Sequence, residues 1–244
     1  MPSKLLAHLD HSILLLDGGM GTALQGTDLD VQRDYLDREN CVDVLVRSRP
    51  ELIESIHDSF LAAGSDAVET NTFGANPLVF GEFDEELVSW SRAINCEAAT
   101  LARRACERHH TAERPRFVLG SMGPGTKLVT LGHVSWDRML ASYTEQARGL
   151  LDGEVDGFLI ETCQDLLQVK CAINACLAAL DETGRSVDDT PIMVSLTIET
   201  NGTMLLGAEI ASAVTTLAPY PIASLGLNCA TGPVEMEEHL RYLS

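Results

Sequence analysis

The chain has 244 residues, 45% of them apolar, and 36 acidic against 17 basic side chains, for a formal net charge of -19. That length and apolar share support a real core in one large domain or two small ones. The acidic surplus argues against nucleic-acid or anionic-membrane partners, which need a basic stripe.

From the N-terminus, "MPSKLLAHLDHS" interrupts any signal-peptide core with His8, Asp10 and His11. The apolar run that follows, "SILLL" at 12–16, is far shorter than the roughly 20 residues of a spanning helix, so no membrane partner is expected. Seven cysteines, an odd number without framework spacing, point to a reducing cytoplasm.

Short apolar runs predict strands at 13–16, 66–68, 117–119, 157–160, 192–198 and 222–227. Several are nearly continuous, as strands buried on both faces are. Amphipathic stretches lie between them. "RPELIESIHDSFLAAG" places Pro50 at a helix start and Gly64 at its stop. "DEELVSWSRAINCEAATLARRACERHH" is acidic at its start and basic at its end, as the helix dipole prefers. "SWDRMLASYTEQARGLLDG" opens on a Ser135 cap, and "DLLQVKCAINACLAALDETG" and "GAEIASAVTTLA" continue the series. The chain ends in "MEEHLRYLS", which reads as a helix after the last strand.

This alternation predicts a parallel α/β sheet. Small and polar residues follow every strand: "DGGMGT", "ETNTFGAN", "GSMGPGTK", "ETCQD", "ETNGT" and "NCATGP". An open sheet gathers its ligand residues at one switch point, whereas a barrel builds its mouth from all its loops. The expected fold is therefore a (β/α)8 TIM-type barrel, of which this chain covers about the first six βα units. The remaining units would need about another 60–80 residues.

Two glycine-rich loops fail as nucleotide motifs. "LLLDGGMGT" has Leu24 where a dinucleotide fingerprint has its third glycine, and "GSMGPGTK" reads Thr-Lys where a phosphate loop reads Lys-Ser/Thr. Their glycines make tight turns and leave N–H groups that can hold a carboxylate. Asp17 and Glu161 end the first and fourth strands, either tied to a helix N-terminus or aimed into the mouth. Two such acids beside bare amides suit an α-amino acid, ammonium to the acids and carboxylate to the amides. Glu69, Asn71 and Thr72 are weaker candidates of the same kind.

Cys96, Cys106, Cys171 and Cys176 fall in helical patterns and read as small hydrophobes. Cys41 lies in an early loop, Cys163 follows Glu161, and His133 falls in a solvated loop. Cys229, after the sixth strand and before "ATGP", is placed as a metal ligand, yet one thiolate cannot hold a metal.

With these residues assembled, the sequence resembles the homocysteine S-methyltransferases, most of all the homocysteine-binding module of the cobalamin-dependent enzymes. The likeness runs through "LLLDGGMGT", "ETNTFGAN", "LGSMGPGTK", "GFLIETCQDLLQVK", "LTIETNGTML" and "LGLNCATGP". The resemblance implies a barrel whose catalytic zinc is held by three cysteine thiolates, Cys229 being the first. The other two belong to a Gly-Gly-Cys-Cys motif after strand eight. That motif is missing here, so residues 1–244 are expected to be one homocysteine-binding module, incomplete at its C-terminus. Asp17, Gly18, Glu161 and Asn71 are the implied substrate-binding residues.

The implied reaction transfers a methyl group to homocysteine to give methionine. Methylcobalamin would be the donor, on a separate module, with folate- and cobalamin-binding modules as partners. Two rival readings stand beside it: a betaine- or sulfonium-donor methyltransferase, and a non-catalytic fragment or binding module. A barrel left open is also expected to self-associate through its edges.

Overall fold

The computed structural model describes residues 3–244; Met1 and Pro2 of the leading segment lie outside the described residues. In chain order the helices before the first strand are α1 (Lys4–Leu9), α2 (Met20–Gln25), α3 (Leu45–Ser48) and α4 (Pro50–Ala63). There follow β1 (Ala67–Glu69), α5 (Pro77–Phe80), α6 (Glu85–His109), β2 (Phe117–Met122), α7 (Trp136–Asp152) and β3 (Gly157–Cys163). The chain continues through α8 (Leu166–Glu182), β4 (Ile192–Leu196), α9 (Ile210–Leu217), β5 (Ser224–Leu227) and α10 (Pro233–Leu243).

The long helices start where side chains satisfy their first free N–H groups. Asp84 accepts from Leu87, Ser135 from Arg138 and Asp165 from Gln168, which opens α6, α7 and α8 in turn. Pro50 and Pro77 open α4 and α5, and Gly64, in the left-handed region at φ 124°, closes α4.

All five strands are parallel and lie in sequence order, β1-β2-β3-β4-β5. There is no reversal of order, hence no switch point, and the sheet is a stretch of barrel wall. Its two faces carry different cores. Val68, Val118, Phe158, Ile160, Val194 and Leu196 face the helices, joining Ala99, Tyr143, Leu150, Val169 and Ile173 in the main cluster. Ala67, Phe117, Leu119, Leu159 and Met193 line the inner face, where Leu5 of α1 closes the floor. Gly149 lets α7 approach α6, because a Cβ there would meet Arg92 O and lie 2.7 Å from Asn95 Cβ.

The sequence predicts six strands, and the described residues form five. Residues 13–16 run extended beside β1, but only Leu15 bonds to it: its carbonyl accepts from Asp66 N (2.7 Å) and Ala67 N (3.1 Å). Its own N–H goes to Asp66 Oδ2 at 3.2 Å, a side chain in place of a ladder partner. A three-residue β1 offers no length for a longer ladder. Ile13 is 85% exposed and Leu15 53%, and every residue of β5 is half-buried, so both sheet edges are open. Among the described residues no helix is long and apolar enough to cross a membrane.

Candidate active site at the strand ends

Side chains two apart on a strand share a face, so each inward strand position leads to the next one up. Ala67 leads to Glu69, Leu119 to Ser121, Leu159 to Glu161 and Met193 to Ser195. The inner face thus changes from apolar to polar at the C-terminal ends of the strands, where barrel sites are built.

Three carboxyls meet there. Both oxygens of Asp17 accept from Glu69 N–H, at 3.2 and 3.1 Å. Glu69 and Glu161 lie close enough for each to act on the other's ionisation, and Ser121 Oγ donates to Glu161 Oε1 at 2.5 Å. No ion pair among the described residues includes Asp17, Glu69 or Glu161. Burial therefore acts without a compensating cation. It pushes Asp17 up to about 7, against the pull of the Glu69 N–H. It pushes Glu69 up to about 9, with the Glu161 and Asp17 charges adding to the effect. Glu161 is also raised by burial, but the hydrogen bonds from Ser121 and Glu69 hold it back. Of the two, Glu69 is pushed up the more strongly, and the hydrogen bond from Ser121 favours the ionised form of Glu161.

Asn228 links this cluster to the thiol. Its Oδ1 accepts from Thr162 N (2.9 Å) and Ser195 Oγ (2.7 Å). Its Nδ2 lies 2.8 Å from Thr162 Oγ1, 3.3 Å from Cys229 Sγ and 3.4 Å from Glu161 Oε2. Cys229 is the one exposed thiol among the seven free cysteines. Its sulfur also lies 3.5 Å from Thr162 Oγ1. Thr162 and Cys229 both hold left-handed backbones, at φ 57° and 60°. For a β-branched threonine this costs about 1–3 kcal/mol, and such strain gathers at functional sites. The Thr162 bend coincides with a break in β3–β4 register between Ile160 and Cys163.

The other sequence candidates are placed as follows. Gly18 and Gly19 are exposed beside Asp17, and their N–H groups donate to nothing among the described residues. A Cβ on Gly18 would lie 3.0 Å from the Phe60 ring, so packing also requires this glycine. Asn71 is buried, its Nδ2 donating to Val42 O at 2.8 Å, so its amide braces the 41–44 loop. Thr72 is buried, with its hydroxyl on Ser121 O at 2.8 Å.

Cys163 does not reach the mouth. It is buried in the main core with its sulfur 3.6 Å from Glu161 O, because the bend at Thr162 turns it outward to the helices. Cys106, Cys171 and Cys176 are buried as their helical patterns suggest, Cys96 of the same set is half-buried, and Cys41 in its early loop is buried as well. His133 is exposed. Three donors for a metal do not come together: among the described residues no group of three or more His, Cys, Asp or Glu is arranged to hold one. By itself the donor set of residues 3–244 does not fit a zinc site.

Ser121, Ser195, Thr162 and the side-chain role of Asn228 are not evident from motifs. Their signal is positional: Ser121 and Ser195 are the polar residues that follow, two places on, an inward apolar residue near a strand end.

Over 242 residues the chain is 46% identical to the methionine synthase of Mycobacterium tuberculosis and 45% to that of Mycobacterium leprae. That alignment takes in 99% of this chain, which spans 20% of the length of each synthase. In structure it resembles the Escherichia coli homocysteine methyltransferase MmuM. For the metallated form the TM-score is 0.74 at 25% identity, covering 98% of this chain and 83% of that one. For the apo form the TM-score is 0.68 at 26% identity, covering 97% and 80%. Residues 14–244 match the profile of the homocysteine S-methyltransferases, and the chain belongs to that family.

Proposed function

We propose that this chain is the homocysteine-binding barrel of a cobalamin-dependent methionine synthase, in which homocysteine sulfur takes up a methyl group to give methionine. One observation carries the reading: an unpaired carboxyl cluster faces a lone exposed thiol across one mouth, in a chain 46% identical to a methionine synthase. The cluster suits an α-amino acid. An ammonium between Asp17 and Glu161 supplies the cation the acids lack, and its arrival favours their ionised forms. The free N–H groups of Gly18 and Gly19 suit the carboxylate. The side chain then extends past Asn228 toward Cys229.

Zinc, if held by Cys229 together with ligands from outside this chain, would keep the substrate sulfur deprotonated and nucleophilic at neutral pH. Cys229 is the one zinc ligand proposed from this chain, and its residues act by binding and aiming the amino acid. Methylcobalamin on another module is the proposed donor, with folate- and cobalamin-binding modules as partners.

The test is methionine formation from homocysteine by the full-length protein, with methylcobalamin, betaine and a methylsulfonium compound as alternative donors. Methionine from methylcobalamin supports the proposal. Turnover only with betaine or the sulfonium moves the protein to a direct-donor methyltransferase, and no methionine from any donor overturns it.

A further inference from the structure

We infer that Ser121 is a positioning residue for substrate: it holds the Glu161 carboxylate in the orientation that receives the amino acid's ammonium. The inference rests on the proposed function above.

Ser121 stands where the ladder between β1 and β2 has run out. β1 ends at Glu69, paired with Leu119, so nothing in the sheet meets the backbone of Ser121 on that side. Side chains take over. Ser121 N–H donates to Thr70 Oγ1 at 3.0 Å, and Ser121 O accepts from Thr72 Oγ1 at 2.8 Å. The two hydroxyls are 2.6 Å apart and brace each other. Gln146, fully buried on α7, donates to Thr72 O at 2.7 Å and lies 3.4 Å from Ser121 O. Three buried residues therefore fix one serine, itself 2% exposed.

What this frame presents is a single hydroxyl. Its hydrogen goes to Glu161 Oε1 at 2.5 Å, in the range of a charge-assisted O–H···O bond. Glu161 Oε2 lies 3.4 Å from Asn228 Nδ2, so the carboxylate has a donor at each end. Glu69 offers the same cluster a carboxyl that keeps its proton, and a neutral acid attracts an ammonium weakly. Fixing the charge on Glu161, and fixing where it points, separates an amino acid from a thiol acid without the amino group. Gln146 Oε1 has no partner among the described residues, a cost that Gln146 bears at the head of this frame.

The experiment is calorimetric titration of the full-length protein, wild type and Ser121→Ala, with homocysteine and with γ-mercaptobutyrate. The second ligand has the same thiol and carboxylate and no ammonium. Losing the hydroxyl should weaken homocysteine about 10-fold and γ-mercaptobutyrate less than about 2-fold, as loss of a hydrogen bond to a charged group implies. Thr72→Val keeps the Ser121 hydroxyl and loosens its carbonyl, and should show the same selectivity to a smaller degree. It serves as the test if Ser121→Ala does not fold. Equal losses for the two ligands, or no loss, overturn the inference while leaving homocysteine binding intact. A wild type that binds homocysteine no better than γ-mercaptobutyrate overturns the ammonium site, and the inference with it.

Discussion

His57 is fully buried on α4, which packs on α6, and neither ring nitrogen has a hydrogen-bond partner among the described residues. Burial pushes it down to about 4, against the pull of the Asp58 and Glu54 charges. Those two acids are themselves engaged by Arg104, Arg108 and His109 of α6. The imidazole is therefore neutral in the fold and ordinary, near 6.5, in the unfolded chain. Between those values the unfolded state binds the extra proton, so stability falls as pH falls. The fall from 6.5 to about 4 amounts to about 3 kcal/mol in all, of which about 2 kcal/mol is lost by pH 5.

The perturbation is His57→Leu, which has similar bulk and no polar atoms. Removing two unpaired buried nitrogens should leave the variant at least as stable at about pH 8, by up to about 1–3 kcal/mol. Its advantage should then widen by about 2 kcal/mol on going to about pH 5. Urea unfolding followed by circular dichroism at a series of pH values gives both numbers. The difference between the two proteins is the quantity to read, because Asp17, Asp43 and Glu69 have raised folded values and act in the opposite sense. A gap that does not change with pH would refute the reasoning, since it would mean that the imidazole is satisfied where the structure leaves it bare.

Three further outcomes are expected. In the full-length protein, Asp17→Asn or Glu161→Gln should weaken homocysteine by about 1–3 kcal/mol in a binding titration. The melting temperature should hold or rise, because both acids are raised by burial; a large fall with unchanged affinity would mean that they only brace the barrel. Burial pushes Asp43 up to about 6, where one oxygen accepts from Gly74 N at 3.0 Å. Asp43→Asn keeps an acceptor, so it should stabilise by up to about 3 kcal/mol above that pH, the gain vanishing as pH falls through 6 toward 4; a pH-independent change in melting temperature would count against this. The 244-residue chain alone should retain no stoichiometric zinc by plasma emission, and Cys229→Ser in the full-length protein should abolish zinc retention and turnover together. One zinc per short chain, lost with Cys229→Ser, would reveal a donor set not recognised in the structure.

Much of the architecture is legible because its causes are local. Asp84, Ser135 and Asp165 cap the helices they precede, and each observed helix begins one residue after its cap. Ser3 and Asn76 cap the short helices α1 and α5 in the same way, whereas α2 and α3 have no side-chain cap; Leu24 and Leu45 hold those two by tertiary burial. The 13–16 run looks like a strand from composition, yet becomes one only as far as its neighbour's length allows. The site divides along the same line. Asp17, Glu161 and Cys229 stand out because an acid or a thiol at a strand end is unusual. Ser121 and Ser195 are unremarkable as residue types, and their importance lies in parity, each two positions beyond Leu119 or Met193 on the same inner face. Parity is itself written in the sequence, provided the inward set is known. Once Leu5 and the floor residues identify that set, counting on by two reaches Glu69, Ser121, Glu161 and Ser195 in succession. Asn71 is likewise two positions beyond Glu69, but β1 ends at Glu69, so the alternation no longer holds there and its amide turns away to Val42. The motif "ETN" thus holds two different tasks, and the end of the strand at Glu69 separates them.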